Sequence, residues 1–143
     1  MSQPQQNLKN HARLVPLFHF VLGGLIVMNF LHAVRTFLPF GQDSVYRMIV
    51  AVALLLMFFY IRAFPLTAQD RVIRLEEQLR LEKLAPDLAL RSGEITPGQW
   101  TALRFASDAE LPGLVREVLS GKLAKPGDIK QAIKLWRADH LRV

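Results

Sequence analysis

At 143 residues the chain is one domain's worth of sequence. Half of it is hydrophobic (51%), mean hydropathy is +0.20 and the net charge is +6, a mixture that implies separate apolar and charged blocks. No cysteine is present, which excludes disulfides, thiolate catalysis and cysteine-based zinc sites.

The basic excess sits where membrane orientation uses it. Residues 1–68 hold Lys9, Arg13, Arg35, Arg47 and Arg62 against Asp43 alone, residues 69–121 are slightly acidic, and residues 122–143 are again basic. Charge flanking apolar blocks orients spans. The basic stripe with interleaved aromatics that marks a nucleic-acid binder is absent, and no nucleic-acid partner is expected.

After a polar tail over 1–14, Val15 to Val34 contains no charged residue, and about 20 residues of helix cross a hydrocarbon core of about 30 Å. The block is longer than the apolar region of a signal peptide, about 7–15 residues, and "FLHAVRTF" offers no small-x-small cleavage site. The second block, Met48 to Ile61, is shorter. Tyr46 and Tyr60 at its ends suit the membrane interface, Arg47 and Arg62 can snorkel, and "AFPLTA" carries the apolar run to Ala68. The pattern predicts a transmembrane hairpin over 15–68, with spans at about 15–34 and 47–66. Pro39 and Gly41 suit the turn between them. Lys9 and Arg13 before the first span, and Arg62, Arg71, Arg74 and Arg80 after the second, place both termini in the cytoplasm.

Polar residues inside a span call for a functional hypothesis. Imidazole can ligate haem iron or chlorophyll magnesium, which makes His19 and His32 the candidates for a pigment or haem. Thirteen residues at about 100° each put them on nearly opposite faces, so they cannot share one ligand from this helix. Both lie near span ends, where a neutral histidine reaches water or headgroups, and interfacial or helix-contact roles are expected. Gly23 and Gly24 allow close helix approach and Asn29 can bond across a contact. Their partner is either the second span or another membrane protein.

Residues 69–95 are predicted as an amphipathic helix and a linker. Val72, Leu75 and Leu79 form one stripe, Leu81 and Leu84 fit it less regularly, and Glu76 with Arg80 makes an i,i+4 pair. The helix either leaves the membrane into solvent or lies on a membrane or partner surface. "APDLALRSGEI" reads as linker.

Residues 96–143 predict a three-helix cytoplasmic module. Thr96 and Pro97 suit an N-cap and a first helical position. Ser107 and Glu110 have capping-box spacing, with Leu111, Leu114, Val115 and Val118 as the stripe that follows and Gly121 as its stop. In "KPGDIKQAIKLWRADHL", Ile129, Ile133, Trp136 and His140 share one helical face, and Lys130, Lys134 and Arg137 another. The expected core is Trp100, Leu103, Phe105, Leu111, Leu114, Val118, Ile133 and Trp136. So short a module is marginal alone, which favours docking onto a partner or the membrane.

The soluble catalytic menu is thin. Asp139 and His140 lack a serine nucleophile in a recognisable setting, and Glu76 and Glu77 are adjacent and diverge on a helix. No paired-histidine metal motif, Walker-type glycine loop or dinucleotide fingerprint occurs. No catalytic residue, metal, cofactor or small-molecule substrate is expected.

Taken together, "NHARLVPLFHF", the two spans, "QDRVIRLEEQLR", "ALRFASDAELPGLV" and "DIKQAIKLWRADHLRV" resemble a family of small bacterial two-span membrane proteins classed as a domain of unknown function. The resemblance covers nearly the whole chain. It implies a multi-pass protein of the bacterial inner membrane and transfers no activity or site.

The expected class is therefore an all-α protein, a two-helix hairpin followed by a small cytoplasmic helical module. It would serve as a non-catalytic accessory or structural subunit of a larger membrane protein complex. Photosynthetic or respiratory assemblies are candidate hosts, with the bilayer and other membrane subunits as partners and Gly23, Gly24, Asn29, Lys130, Lys134 and Arg137 as contacts. One alternative is a free-standing membrane-anchored adaptor that recruits a soluble protein. A second is a pigment- or haem-binding subunit acting through His19 or His32. The basic flanks give a direct test of topology: a reporter active only outside the cytoplasm should be active when inserted at Gly41 and silent when fused after Val143, and the reverse pattern refutes the hairpin orientation.

Overall fold

The computed structural model of the protein describes residues 7–8 and 14–139. Most of the N-terminal tail, with Lys9 and Arg13, and the final residues with His140 lie outside the described residues. Among the described residues every regular element is helical, with one isolated antiparallel bridge between Ala106 and Trp136. The chain divides into two compact units, Leu14–Leu66 and a second one that includes Thr67–Val143.

In the first unit a π-helical stretch, Leu17–Leu22, runs into α1, Gly23–Arg35. Thr36 ends it, its hydroxyl donating to the His32 carbonyl at 2.8 Å and so satisfying one of the carbonyls a helix end leaves open. The return turn is closed by Ser44, a buried residue whose hydroxyl accepts from Gly41 N–H at 2.9 Å and donates to the Gly41 carbonyl at 2.8 Å. Helix α2 then runs over Gln42–Leu84, 43 residues.

Leu17–Arg35 is 19 residues long with a mean hydropathy of 1.9, and a stretch of α2 reaches 2.3; both are long and apolar enough to cross a membrane. Only 17% and 6% of those stretches are buried inside the protein. The core helix of a soluble protein would be mostly buried, because its apolar surface has to leave water.

The expected end of the second span near residue 66 is not an end of the helix. The composition turns from apolar to charged at Gln69, but residues 66–84 contain no glycine or proline and are rich in good helix formers, so the backbone ladder continues. Pro65 lies within α2, where its missing N–H removes one bond to the preceding turn.

The buried face of this charged part of α2 also differs from the expected one. Ile73, Glu77, Leu81 and Ala85 are buried at successive steps of four, whereas Val72, Leu75 and Leu79 are exposed. The buried face contains a carboxylate, and a search for apolar periodicity passes over it.

The expected linker is folded onto the core. Pro86 opens a one-turn helix, α3 (Pro86–Ala89), a 3-10 turn follows at Ser92–Glu94, and Leu88 and Ile95 are buried. Helix α4 (Pro97–Leu103) starts as expected, with a full capping box: Gln99 N–H donates to Thr96 Oγ1 at 3.3 Å and Thr96 N–H to Gln99 Oε1 at 2.8 Å. The Gln99 side chain also donates to the Ala124 carbonyl at 3.0 Å. A Cβ at Gly98 would stand 3.3 Å from the Pro126 ring, so glycine lets α4 and the start of α6 approach.

Helix α5 (Leu111–Leu119) buries Leu111, Leu114, Val115 and Val118, and Gly121 closes it at φ +80°, a conformation that favours glycine. Helix α6 covers only Pro126–Ala132, and the chain turns extended at Ile133 (ψ 123°). The predicted longer helix is thus corrected. Residues 133–137 instead lie beside 105–107, with Ser107 N–H donating to the Leu135 carbonyl at 3.1 Å and Arg137 N–H to the Phe105 carbonyl at 2.7 Å.

Leu81, Ile95, Trp100, Leu103, Phe105, Leu111, Val115 and Ile129 are almost wholly buried in one cluster, and Trp136 packs against it half-buried. Emptying a fully buried site costs the transfer energy plus a cavity. Trp100→Ala should cost about 3–5 kcal/mol and Leu81→Ala about 2–5 kcal/mol. Arg116→Ala at an exposed position of α5 should stay within about 0.5 kcal/mol, and Trp136→Ala should be milder than Trp100→Ala. Limited proteolysis of the full-length protein in detergent across a urea series checks the order.

Candidate interaction surfaces

The hairpin unit has an inner and an outer surface set by residue size. Phe18 stacks on Phe58 with ring centroids 4.7 Å apart, and a Cβ at Gly23 would lie 3.2 Å from Phe58 Cζ. Gly23, Ile26 and Ala33 are buried on α1 and Ala51 on α2. Small side chains at such a contact let membrane-type helices approach.

The three expected contact residues of this span therefore separate. Gly23 belongs to the internal contact of the hairpin. Gly24 has nothing within 4 Å of where a Cβ would stand, and Asn29 is exposed. His32 is exposed too, one helical turn beyond Asn29 and on the same outward face as Leu25. His19 is half-buried, its Nδ1 lying 2.9 Å from the Val15 carbonyl and its ring edge-to-face with Phe18 at 5.2 Å. The two histidines are not brought together. Among the described residues no group of three or more His, Asp or Glu is disposed to hold a metal.

The helical module is organised by charged residues in pairings that sequence spacing did not indicate. Glu77 is buried on α2, and Arg80, one turn on, donates to it from Nη1 at 2.8 Å. The same guanidinium donates from Nε to Asp108 at 2.6 Å and from Nη2 to the Ala106 carbonyl at 2.7 Å. Arg137 approaches the other Glu77 oxygen at 3.5 Å. Arg80 thus pairs with Glu77 rather than with Glu76, the i,i+4 partner expected from spacing.

Arg104 is buried in the core at the end of α4 and is ion-paired to Asp139 at 2.9 Å, its guanidinium 4.3 Å above the Phe105 ring. A buried cation without such company would be strongly unfavourable. Glu110 reaches across the module: its two carboxylate oxygens accept from the N–H groups of Lys134 at 3.2 Å and Leu135 at 2.9 Å. These bonds hold residues 134–135 extended and are the physical reason the last helix stops early. Glu110 does not complete the expected capping box, since helix α5 has no side-chain cap.

The three basic contact candidates do not share a face. Lys130 is half-buried with Nζ 5.7 Å from the Phe105 ring, while Lys134 and Arg137 are exposed on the extended segment. Ile73, Glu77, Arg80, Arg104, Arg137 and Asp139 line an open groove of about 460 Å³ in which cations and carboxylates alternate. Its charges are largely spent on one another, which makes it a clamp rather than an anion site. At the edge of the module, a two-pronged bond from Arg91 to Glu94 holds the Glu94 carboxyl below its ordinary value and raises Arg91.

The chain belongs to the family of unknown function DUF6526. That family matches residues 1–143, which agrees with the resemblance to a domain of unknown function. No curated protein and no solved structure matches the chain.

Removing one partner of a buried ion pair leaves the other charge uncompensated, typically at 3–5 kcal/mol. Glu77→Ala should therefore destabilise the module by about 3 kcal/mol, since Arg80 keeps its bonds to Asp108 and Ala106. Asp108→Asn, at the exposed end of the same network, should cost under about 1 kcal/mol. The urea midpoints of the two variants compared with the parent check this contrast.

Proposed function

We propose that this protein is a non-catalytic accessory subunit of a larger membrane protein assembly, anchored by its helical hairpin with both termini on the cytoplasmic side. The observation that carries this reading is the outward face of α1. Asn29 and His32 stand exposed one turn apart in a helix otherwise apolar up to Arg35, and neither side chain has a hydrogen bond among the described residues. An amide facing hydrocarbon without a partner is unfavourable, and a neighbouring helix that bonds it removes the cost. The orientation is supported by the lysine and arginine bias of the flanks, and insertion by the low burial of both apolar helices.

The helical module supports the same reading. Its buried ionisable groups, Glu77 and Arg104, are engaged in ion pairs that hold the fold together. Such groups position a surface.

The test is the size of the protein extracted in mild detergent, read on a native gel with mass spectrometry of whatever comigrates. A species containing other membrane proteins is expected. Polar bonds between membrane helices average about 0.6 kcal/mol each, so Asn29→Leu combined with His32→Leu should weaken association roughly five- to tenfold. Gly23→Leu should instead disrupt the hairpin, and Gly24→Leu should leave it intact. A protein that carries no other protein with it in any mild detergent refutes the accessory-subunit reading.

A further inference from the structure

Opposite the core-facing stripe of α2 lies a second apolar stripe that no other described residue covers. Val72, Leu75 and Leu79 are 54%, 58% and 52% exposed. At about 100° per residue they lie on the far side of the helix from Ile73, Glu77 and Leu81. Their spacing of three and then four residues is that of a coiled-coil seam, with Val72 and Leu79 at a positions and Leu75 at d. Val72 at a with Leu75 at d favours two strands over higher oligomers when such helices pack parallel. Next to the stripe, Leu75, Leu79 and Ala89 line an open groove of about 480 Å³, and Leu90 projects at its rim, 89% exposed. A surface carrying both a groove and a projecting leucine can complement itself across a two-fold axis.

We propose that this face is a self-association seam, covered by the same stripe of a second copy of the chain packed parallel to it. Charge selects this occupant. In a parallel pair each g residue meets the e residue five positions further along the other copy. Arg71 lies at g and Glu76 at e, so the pairing brings Arg71 of each copy to Glu76 of the other, twice over. Both residues are exposed and neither takes part in an ion pair among the described residues. The next such pair is Gln78 with Lys83, which carries no repulsion. An antiparallel seam layered on Leu75 and Leu79 sets e against e and brings Glu76 to Glu76, a like-charge contact. Glu82 takes the next d position and ends the seam two residues before α2 finishes, where its carboxylate can turn to water.

The inference is drawn from the helix surface alone and does not rest on the accessory-subunit reading. The chain has no cysteine, so single cysteines report contacts without background. The full-length protein carrying Leu75→Cys is reconstituted in phosphatidylcholine–phosphatidylglycerol vesicles and oxidised with copper phenanthroline. The d position of a parallel pair faces its own copy, so a cross-linked dimer is expected, well above that from Lys125→Cys on an exposed loop of the module. Adding Arg71→Glu should lower the dimer yield roughly five- to tenfold, and adding Glu76→Arg as well should restore it. That rescue separates a lost contact from a lost fold. Equal yields at positions 75 and 125, no loss with Arg71→Glu, or no restoration by the charge exchange each overturn the seam. So does a monomer in which a polarity-sensitive dye on Leu75→Cys enters lipid, which assigns the stripe to the bilayer. A cross-linked dimer that carries no other membrane protein supports the seam while refuting the accessory-subunit reading, and so the two stand or fall separately.

Discussion

The bond set of Arg80 is the interaction on which the helical module depends. One guanidinium reaches a buried carboxylate on its own helix, an exposed carboxylate after α4 and a backbone carbonyl between them. Arginine suits this task because its donors form a rigid planar fork that can serve several acceptors at once. Lysine, with a single point charge, would leave part of the set unmet. Glu77 in turn holds both Arg80 and Arg137, so one carboxylate links α2 to the last extended segment. Leu81 and Phe105 belong to the same apolar core, both almost fully buried.

A second carboxylate does similar work with backbone partners. Glu110 takes up two consecutive N–H groups of the segment that follows α6. Those donors would otherwise have continued a helix. Satisfying them from the side fixes the extended path that places Ile133 in the core and lets Trp136 pack on Phe105, ring centroids 5.0 Å apart. The module therefore uses a small apolar core together with charged side chains that each tie down several groups. This suits a unit too small to rest on hydrophobic burial alone.

The hairpin follows another rule. Its inner contact is made by small residues and one aromatic stack, and most of its apolar side chains face outward. In water such a surface would be strongly unfavourable; in hydrocarbon it is the ordinary condition of a spanning helix. On the proposed reading of the hairpin as membrane-spanning, the groups that stand out are the polar ones, Asn29 and His32, because a solvent that accepts leucine would give them nothing to bond.

Much of this was determined by sequence alone. One long uncharged run, and a shorter one flanked by arginines and tyrosines and extended by "AFPLTA", mark the two apolar helices whatever the rest of the chain does. Thr96 and Pro97, Gly121 and most of the expected core were legible because caps, left-handed stops and apolar stripes act over a few residues. What only the tertiary structure decided were choices between locally equivalent options. Either side of α2 could have been buried after residue 69, and the apolar stripe alone favoured Val72, Leu75 and Leu79. The opposite side is buried because Glu77 and Arg80 find partners 26 to 60 residues away in sequence. Residues 133–137 have a helical pattern, yet they are extended because Glu110 captures their backbone from across the module. Long-range bonds of this kind leave no periodic trace in the chain. They exist only once the fold has brought the two ends together.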